Sequence, residues 1–306
     1  MPHDHHRHAA HAHQHHHIDP DAGDARMAAA IGVNLLLTVA QIIGGVISGS
    51  MALIADAIHN LSDAVSLVIA FGARKLARRP RDGAMTFGYG RAEVVAAMIN
   101  YITLMVISIY LFSEGVARFW NPPEIEGWIV IIIAGIALVI DLITAALTYS
   151  MSKNSLNIRA AFLHNLADAG TSVAVIFGGA VILIYDWRLI DPILTVAISL
   201  YILWHAFLEI RPVIRILMLG APDGTRAGDV AAAMSEVDGV EDVHHLHLWQ
   251  IDEHRSSVEA HVVLNGESHV VLTQVKTLLK ERFSITHSTL EVEAPGQGCV
   301  PGSEVS

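Results

Sequence analysis

The chain has 306 residues, of which 53% are hydrophobic and only 16% charged, and its formal net charge is −11. A chain this apolar is not an ordinary soluble domain. Its negative charge also speaks against a nucleic-acid partner, because the excess sits at one end: residues 221–306 carry 14 acids against five bases.

The first 26 residues hold nine of the 19 histidines, running from His3-Asp4-His5-His6 to His15-His16-His17. Composition predicts a disordered, metal-avid cytoplasmic segment over 1–26, a weak collector dispensable for transport itself. Interruptions by Asp, Arg, Ala and Gln argue against a purification tag. No apolar h-region precedes a cleavage site there, so no removable signal peptide is expected. The single cysteine, Cys299, excludes an internal disulfide framework and suits a reducing compartment.

A spanning helix needs about 20 apolar residues, and six stretches qualify, at about 27–48, 51–73, 93–117, 127–150, 158–184 and 191–219. Breaks separate them: Ser48-Gly49-Ser50, the basic run from Arg74 to Gly90, Asn121-Pro122-Pro123, Lys153-Asn154-Ser155 and Asp186-Trp187-Arg188. Arg74, Lys75, Arg78, Arg79 and Arg81 lie in one loop, with Lys153 and Arg159 in another on the same side. The alternate loops offer only Arg118 and Arg188. Positive charge favours the cytoplasm, so both termini are expected there. The expected architecture is a polytopic six-helix membrane domain over 27–219 and a cytoplasmic domain over 220–294. A flexible tail, 295–306, ends the chain.

After Pro222 the pattern becomes that of a soluble module. Asp223 to Glu236 reads as a helix, Asp242 to Ile251 and Ser256 to Leu264 as strands, His269 to Phe283 as a helix, and Ile285 to Val292 as a strand. The order α-β-β-α-β predicts a small two-layer α+β domain of ferredoxin-like type.

The chemistry lies in a repeat. His59-Asn60-Leu61-Ser62-Asp63-Ala64 occurs in the second apolar stretch, and His164-Asn165-Leu166-Ala167-Asp168-Ala169 in the fifth. Residues four apart share a helix face, so each copy presents an imidazole and a carboxylate together. An Asp facing lipid costs about 2.5–3.5 kcal/mol on insertion scales, so such residues line polar sites and mark function. Hydrogen bonding between helices would be served more cheaply by Ser or Asn. Two His and two Asp suit a tetrahedral Zn²⁺ shell. At 1.5 Å per residue, His59 and Asp63 lie roughly 12–18 Å from one surface, and His164 and Asp168 roughly 9–15 Å from the other. Both pairs reach the midplane, where transporters hold their cargo. Ligation needs neutral imidazole and ionised carboxylate, so metal and protons compete for the same groups. That competition is a physical route to metal/proton exchange.

Other polar residues share that depth. Asn34 and Gln41 stand in the first stretch, Asp56 one heptad before Asp63, and Asp141 in the fourth stretch. Asn34, Asp56 and Asp141 are candidates for the pathway or for supporting the ligands. His205, alone in the sixth stretch, reads as a satisfied hydrogen-bonding histidine. In the soluble module, His244, His245 and His247 fall on the first strand, His261 on the second, His269 on the last helix and His287 on the last strand. So many imidazoles beside so many acids suggest a further metal site.

The chain resembles the cation diffusion facilitator family, the zinc-type proton-coupled exporters. The resemblance rests on Gly44-Gly45, on Ser50-Met51-Ala52-Leu53-Ile54-Ala55-Asp56-Ala57-Ile58-His59-Asn60-Leu61-Ser62-Asp63, on the loop Thr86-Phe87-Gly88-Tyr89-Gly90-Arg91-Ala92-Glu93 and on the second His-Asp pair. It implies a homodimer of six-helix protomers, each with a transport site between helices two and five. It also implies a cytoplasmic domain that binds metal and holds the dimer. The family's ligands there fall on His244, His261, His269 and His287, with Thr289 where a carboxylate is common. Met85 stands where the family often has a loop histidine, and Asp141 where many relatives carry Asn. A His at the position of His59 goes with zinc over cadmium. Ligand type leaves Fe²⁺, Co²⁺, Mn²⁺ and Ni²⁺ open, and Cd²⁺ less so. No organic cofactor is expected.

Among function classes, a proton-coupled exporter of the bacterial inner membrane fits best. An intramembrane metalloenzyme would keep an open zinc position and a separate base, and the chain has no His-Glu-x-x-His. A membrane metal sensor is the remaining alternative.

Overall fold

The computed structural model describes residues 20–77, 79–152, 156–265 and 268–296. The N-terminal histidine run and Cys299 lie outside the described residues. Six long helices come first: α1 (Pro20–Ser48), α2 (Met51–Ala77), α3 (Arg91–Ala117), α4 (Gly127–Ser152), α5 (Leu156–Tyr185) and α6 (Ile190–Leu217). Then follow α7 (Ala227–Ser235), β1 (Val240–Gln250), β2 (Ser256–Leu264), α8 (Ser268–Phe283) and β3 (His287–Glu293).

Among the described residues four helical segments are long and apolar enough to cross a membrane: Arg91–Ala117, Gly127–Ala146, Asn165–Tyr185 and Ile190–Leu217. The described apolar part of α1, Gly32–Ser48, is shorter. Helix α2 carries Asp56, His59, Asn60 and Asp63, and several side chains of its second half lie outside the described residues. Leu36, Val46, Trp128, Phe177 and Trp204 point outward, an apolar exterior that only a lipid environment solvates well. This is a membrane protein.

The helices meet in one apolar core. Met51, Leu53 and Ala55 of α2 pack with Leu104 and Leu111 of α3, Val130 of α4, Val175 of α5, and Ile198 and Ile202 of α6. Helices α4 and α5 approach closely because small residues face each other. A Cβ built on Gly127 would stand 2.7 Å from the carbonyl oxygen of Gly179. Backbone cannot move aside as a side chain can. Gly127→Val is therefore expected to destabilise the bundle by about 1–3 kcal/mol, read as a lower thermal midpoint in detergent. An unchanged midpoint would mean that α4 and α5 do not pack this way.

The start of α6 holds the start of α2. Asp191 is 2% exposed. It accepts hydrogen bonds from the Ser50 hydroxyl (2.5 Å) and from the backbone N–H groups of Met51 (3.0 Å) and Ala52 (3.3 Å). Those N–H groups begin α2 and have no partner within their own helix.

In the tail, β1 pairs antiparallel with β2 and β2 parallel with β3, in the order β1-β2-β3. Val258, Ala260, Val262 and Leu264 project from one face of β2 into a core with Val230 and Met234 of α7 and Val271, Val275 and Leu279 of α8. Both helices therefore cover one face, and the alternate residues line the other. The first tail helix starts four residues later than its composition predicts. Thr225 N–H bonds to the Pro222 carbonyl (3.1 Å) and Gly224 sits at φ +77, so Asp223 belongs to a turn. The remaining expected elements fall within a few residues of the observed ones, with β3 at His287–Glu293 in place of 285–292.

Candidate metal centre

Helices α2 and α5 bring the two halves of the repeat together inside the bundle. His59 Nε2 lies 3.0 Å from Asp168 Oδ1 and 4.0 Å from Asp63 Oδ2. One ligand atom from each of these three residues lies within 4.8 Å of the others. Their burial is graded. His59 is 4% exposed and Asp168 6%, while the Asp63 side chain is 31% exposed, so the cluster is closed on one side and reachable on another. His164 belongs to α5, four residues before Asp168, but its side chain lies outside the described residues.

Supporting groups surround the cluster. Gln41 donates to Asp56 Oδ2 (2.7 Å), and Asn60 donates to Gln41 Oε1 (3.0 Å), an all-buried chain reaching from α1 to the neighbour of His59. Asp56 thus belongs to an internal network. Asp141 is buried and accepts a hydrogen bond from Ser172 (3.2 Å), one turn along α5 from Asp168. Asn34 is half-buried on α1, and its carbonyl accepts from Thr38 (2.9 Å). The sixth helix contributes Tyr201, whose ring meets His59 edge-on at 6.1 Å and His205 at 6.3 Å. Sequence inspection passes over Tyr201, since a lone Tyr on an apolar helix carries no motif.

A second cluster occupies the open face of the tail sheet. His244 pairs across the sheet with His261, and His261 with Glu291 of β3. Glu293 joins them: Oε1 is 2.8 Å from His261 Nδ1, and Oε2 is 3.3 Å from His244 Nε2. Asp242 Oδ2 lies 2.8 Å from His244 Nδ1. A bulge between His244 and His247, with His245 at φ +51, lets residues of opposite parity share this face. His245 then stacks on His261 at 4.9 Å. Of the four expected tail residues, the structure brings His244 and His261 together and does not bring His269 or His287 to them. His269 is exposed on α8, which covers the other face. His287 Nδ1 lies 3.0 Å from the Ser257 hydroxyl, and its ring packs on Phe87. The carboxylate expected near Thr289 is supplied instead by Glu293, four residues on and on the same face. Only the strand register reveals it.

The loop before α3 is tightly built. Asp82 accepts from the Tyr89 hydroxyl (2.6 Å) and from the N–H groups of Ala84 and Met85 (both 2.8 Å). The Tyr89 bond above all, then the two N–H groups, hold the Asp82 carboxyl below its ordinary range.

The chain was also compared with known proteins. A family model described as the cation efflux transmembrane domain matches residues 27–218, and one described as the cation efflux protein cytoplasmic domain matches residues 222–295. The metal cation efflux system protein CzcD of Cupriavidus metallidurans is 34% identical over 278 residues, covering 90% of this chain and 88% of that protein. The cadmium, cobalt and zinc/H(+)-K(+) antiporter of Bacillus velezensis is 34% identical over 262 residues, 83% of each chain. The zinc transporter ZitB of Pectobacterium atrosepticum is 33% identical over 271 residues, covering 88% and 85%. With a ligand-like cluster inside an apolar bundle and both family models spanning nearly all of it, this chain belongs to the cation efflux family.

Proposed function

We propose that this protein exports Zn²⁺, exchanging it for protons by alternating access around a site made by His59, Asp63, His164 and Asp168. The observation that carries the reading is the convergence of His59, Asp63 and Asp168 inside the apolar bundle. Helix α5 runs one turn from His164 to Asp168, which supports His164 as the fourth ligand and a tetrahedral shell. Six spans with both termini in the cytoplasm of a bacterial inner membrane complete the arrangement. The same division makes 1–26 a His-rich collector, 27–219 the membrane domain, 220–294 the cytoplasmic domain and 295–306 the C-terminal end. Names among the relatives include zinc, cadmium and cobalt. Zn²⁺ is the leading cargo, because borderline N/O ligands suit it and Cd²⁺ favours softer sets.

Sealed vesicles carrying a zinc-sensitive dye under an imposed pH gradient test this directly. Gradient-dependent zinc flux is the expected result, with Co²⁺, Fe²⁺, Mn²⁺, Ni²⁺ and Cd²⁺ ranked in the same assay. Stoichiometric metal binding with no flux of any ion would favour a membrane metal sensor.

The tail cluster is read as a regulatory zinc site centred on His244, His261 and Glu293. The cytoplasmic domains of a homodimer carry an acidic surface, and bound metal neutralises it and draws the two together. Glu293→Gln keeps the shape of the side chain and removes its charge. It is expected to weaken zinc binding at this site at least tenfold, within the range metal sites lose to single polar substitutions. A titration of the full-length protein indistinguishable from native would exclude Glu293 as a ligand.

A further inference from the structure

A third group of metal-binding side chains joins the two parts of the molecule. Glu93, in the first turn of α3, meets Glu253 and His254 of the β1–β2 turn, with one ligand atom from each within 4.8 Å of the others. Both sides are held rigidly. Asp252 accepts from the N–H groups of His254 (3.0 Å) and Arg255 (2.8 Å) and from Arg255 Nε (2.7 Å), which fixes the turn that presents Glu253 and His254. Arg91 donates to the carbonyls of Ile251 (2.8 Å) and Gln250 (3.2 Å), and Arg255 donates to the carbonyl of Phe87 (3.0 Å). Gly90 allows the approach, since a Cβ there would stand 2.3 Å from Asp252 Oδ2.

Tyr101 of α3 lies within electrostatic reach of Glu209, Asp63 and Glu253 together. Asp63 of the membrane site and Glu253 of the β1–β2 turn thus both lie near Tyr101. Glu209 stands on α6 at i+8 from Tyr201 and i+4 from His205, so Tyr201, His205 and Glu209 form one polar stripe on that helix.

We propose that Glu93, Glu253 and His254 form a divalent-cation site at the junction of the membrane and tail domains, where cargo is captured before it passes to the membrane site. Two carboxylates and one imidazole suit Zn²⁺, Co²⁺ or Mn²⁺ and leave coordination positions for water, as a transfer site requires. The position of the site as a way in rests on the export reading, but its existence as a metal site does not.

The test uses full-length protein and Zn²⁺ alone. Glu253→Gln/His254→Ala changes two exposed side chains, and Glu93→Gln serves as an independent single change. Bound zinc per protomer is counted by equilibrium dialysis, in the native background and with Asp168→Ala. Vesicle flux is measured in the native background. The count is expected to fall by one in both backgrounds, and the zinc concentration for half-maximal flux to rise at least threefold with the maximal rate within twofold. An unchanged count in the double variant, or an unchanged half-maximal concentration, overturns the proposal. Failure of the export reading would look different: no ion would flow in any background, or Asp168→Ala would leave flux intact, while the double variant would still lose its zinc.

Discussion

Asp168→Ala is expected to abolish gradient-driven zinc flux, by more than about 100-fold, while the protein still inserts and elutes as the native form does. The magnitude follows from the position of Asp168. Its carboxylate is 3.0 Å from His59 Nε2, and among the described His, Asp and Glu residues only His59 and Asp63 share its cluster. Substitutions that only support metal ligands already cost 10–100-fold in affinity, so loss of a ligand costs more. Asp63→Ala is expected to match it. A second readout separates chemistry from folding. Asp168→Ala strands the buried His59 that lies 3.0 Å from it, so without metal the thermal midpoint should fall. Metal should widen the gap: saturating zinc raises the native midpoint by binding the folded state and leaves the variant's nearly unmoved. Retained flux in both Asp63→Ala and Asp168→Ala would reject this site as the transport centre.

The legibility of such a site in sequence depends on how local its signal is. His59 and Asp63, like His164 and Asp168, are four residues apart, so helix geometry alone joins each pair, and the repeat suggests that the pairs meet. The structure brings His59, Asp63 and Asp168 together as that pattern implies. Glu293 is not legible in the same way. It lies more than 30 residues from His261, and only the parallel register of β2 with β3, His261 opposite Glu291, brings it to that face. His269 is the converse case. Counting histidines groups it with His244 and His261, but its helix packs on the opposite side of the sheet. The Glu93–Glu253–His254 group joins residues some 160 positions apart, and no period in the chain announces it.

Asp191 shows why burial alone does not identify a transport residue, and it supports a different prediction from Asp168. Both are buried aspartates in apolar helices, at 2% and 6% exposure. Asp168 faces an imidazole and another carboxylate, an arrangement with room for a cation. Asp191 faces only donors, the Ser50 hydroxyl and the N–H groups of Met51 and Ala52, with Arg118 near enough to act on its charge. Its acceptor capacity is used to terminate α2, and the favourable end of the α2 dipole faces its charge. Hydrogen bonds to a charged group contribute about 1.5–3 kcal/mol each and do not add fully. Asp191→Ala leaves three donors stranded in an apolar setting and should cost about 3 kcal/mol or more, read as a lower thermal midpoint and lower yield of folded protein. Asp191→Asn keeps one acceptor but points an amide N–H at a backbone N–H, so an intermediate loss is expected. Ser50→Ala removes a single donor and should cost about 1 kcal/mol. Flux per folded molecule should change little in Ser50→Ala, because no metal ligand moves. A midpoint for Asp191→Ala equal to native, or a loss of flux in Ser50→Ala without loss of stability, would move Asp191 from the scaffold to the transport path.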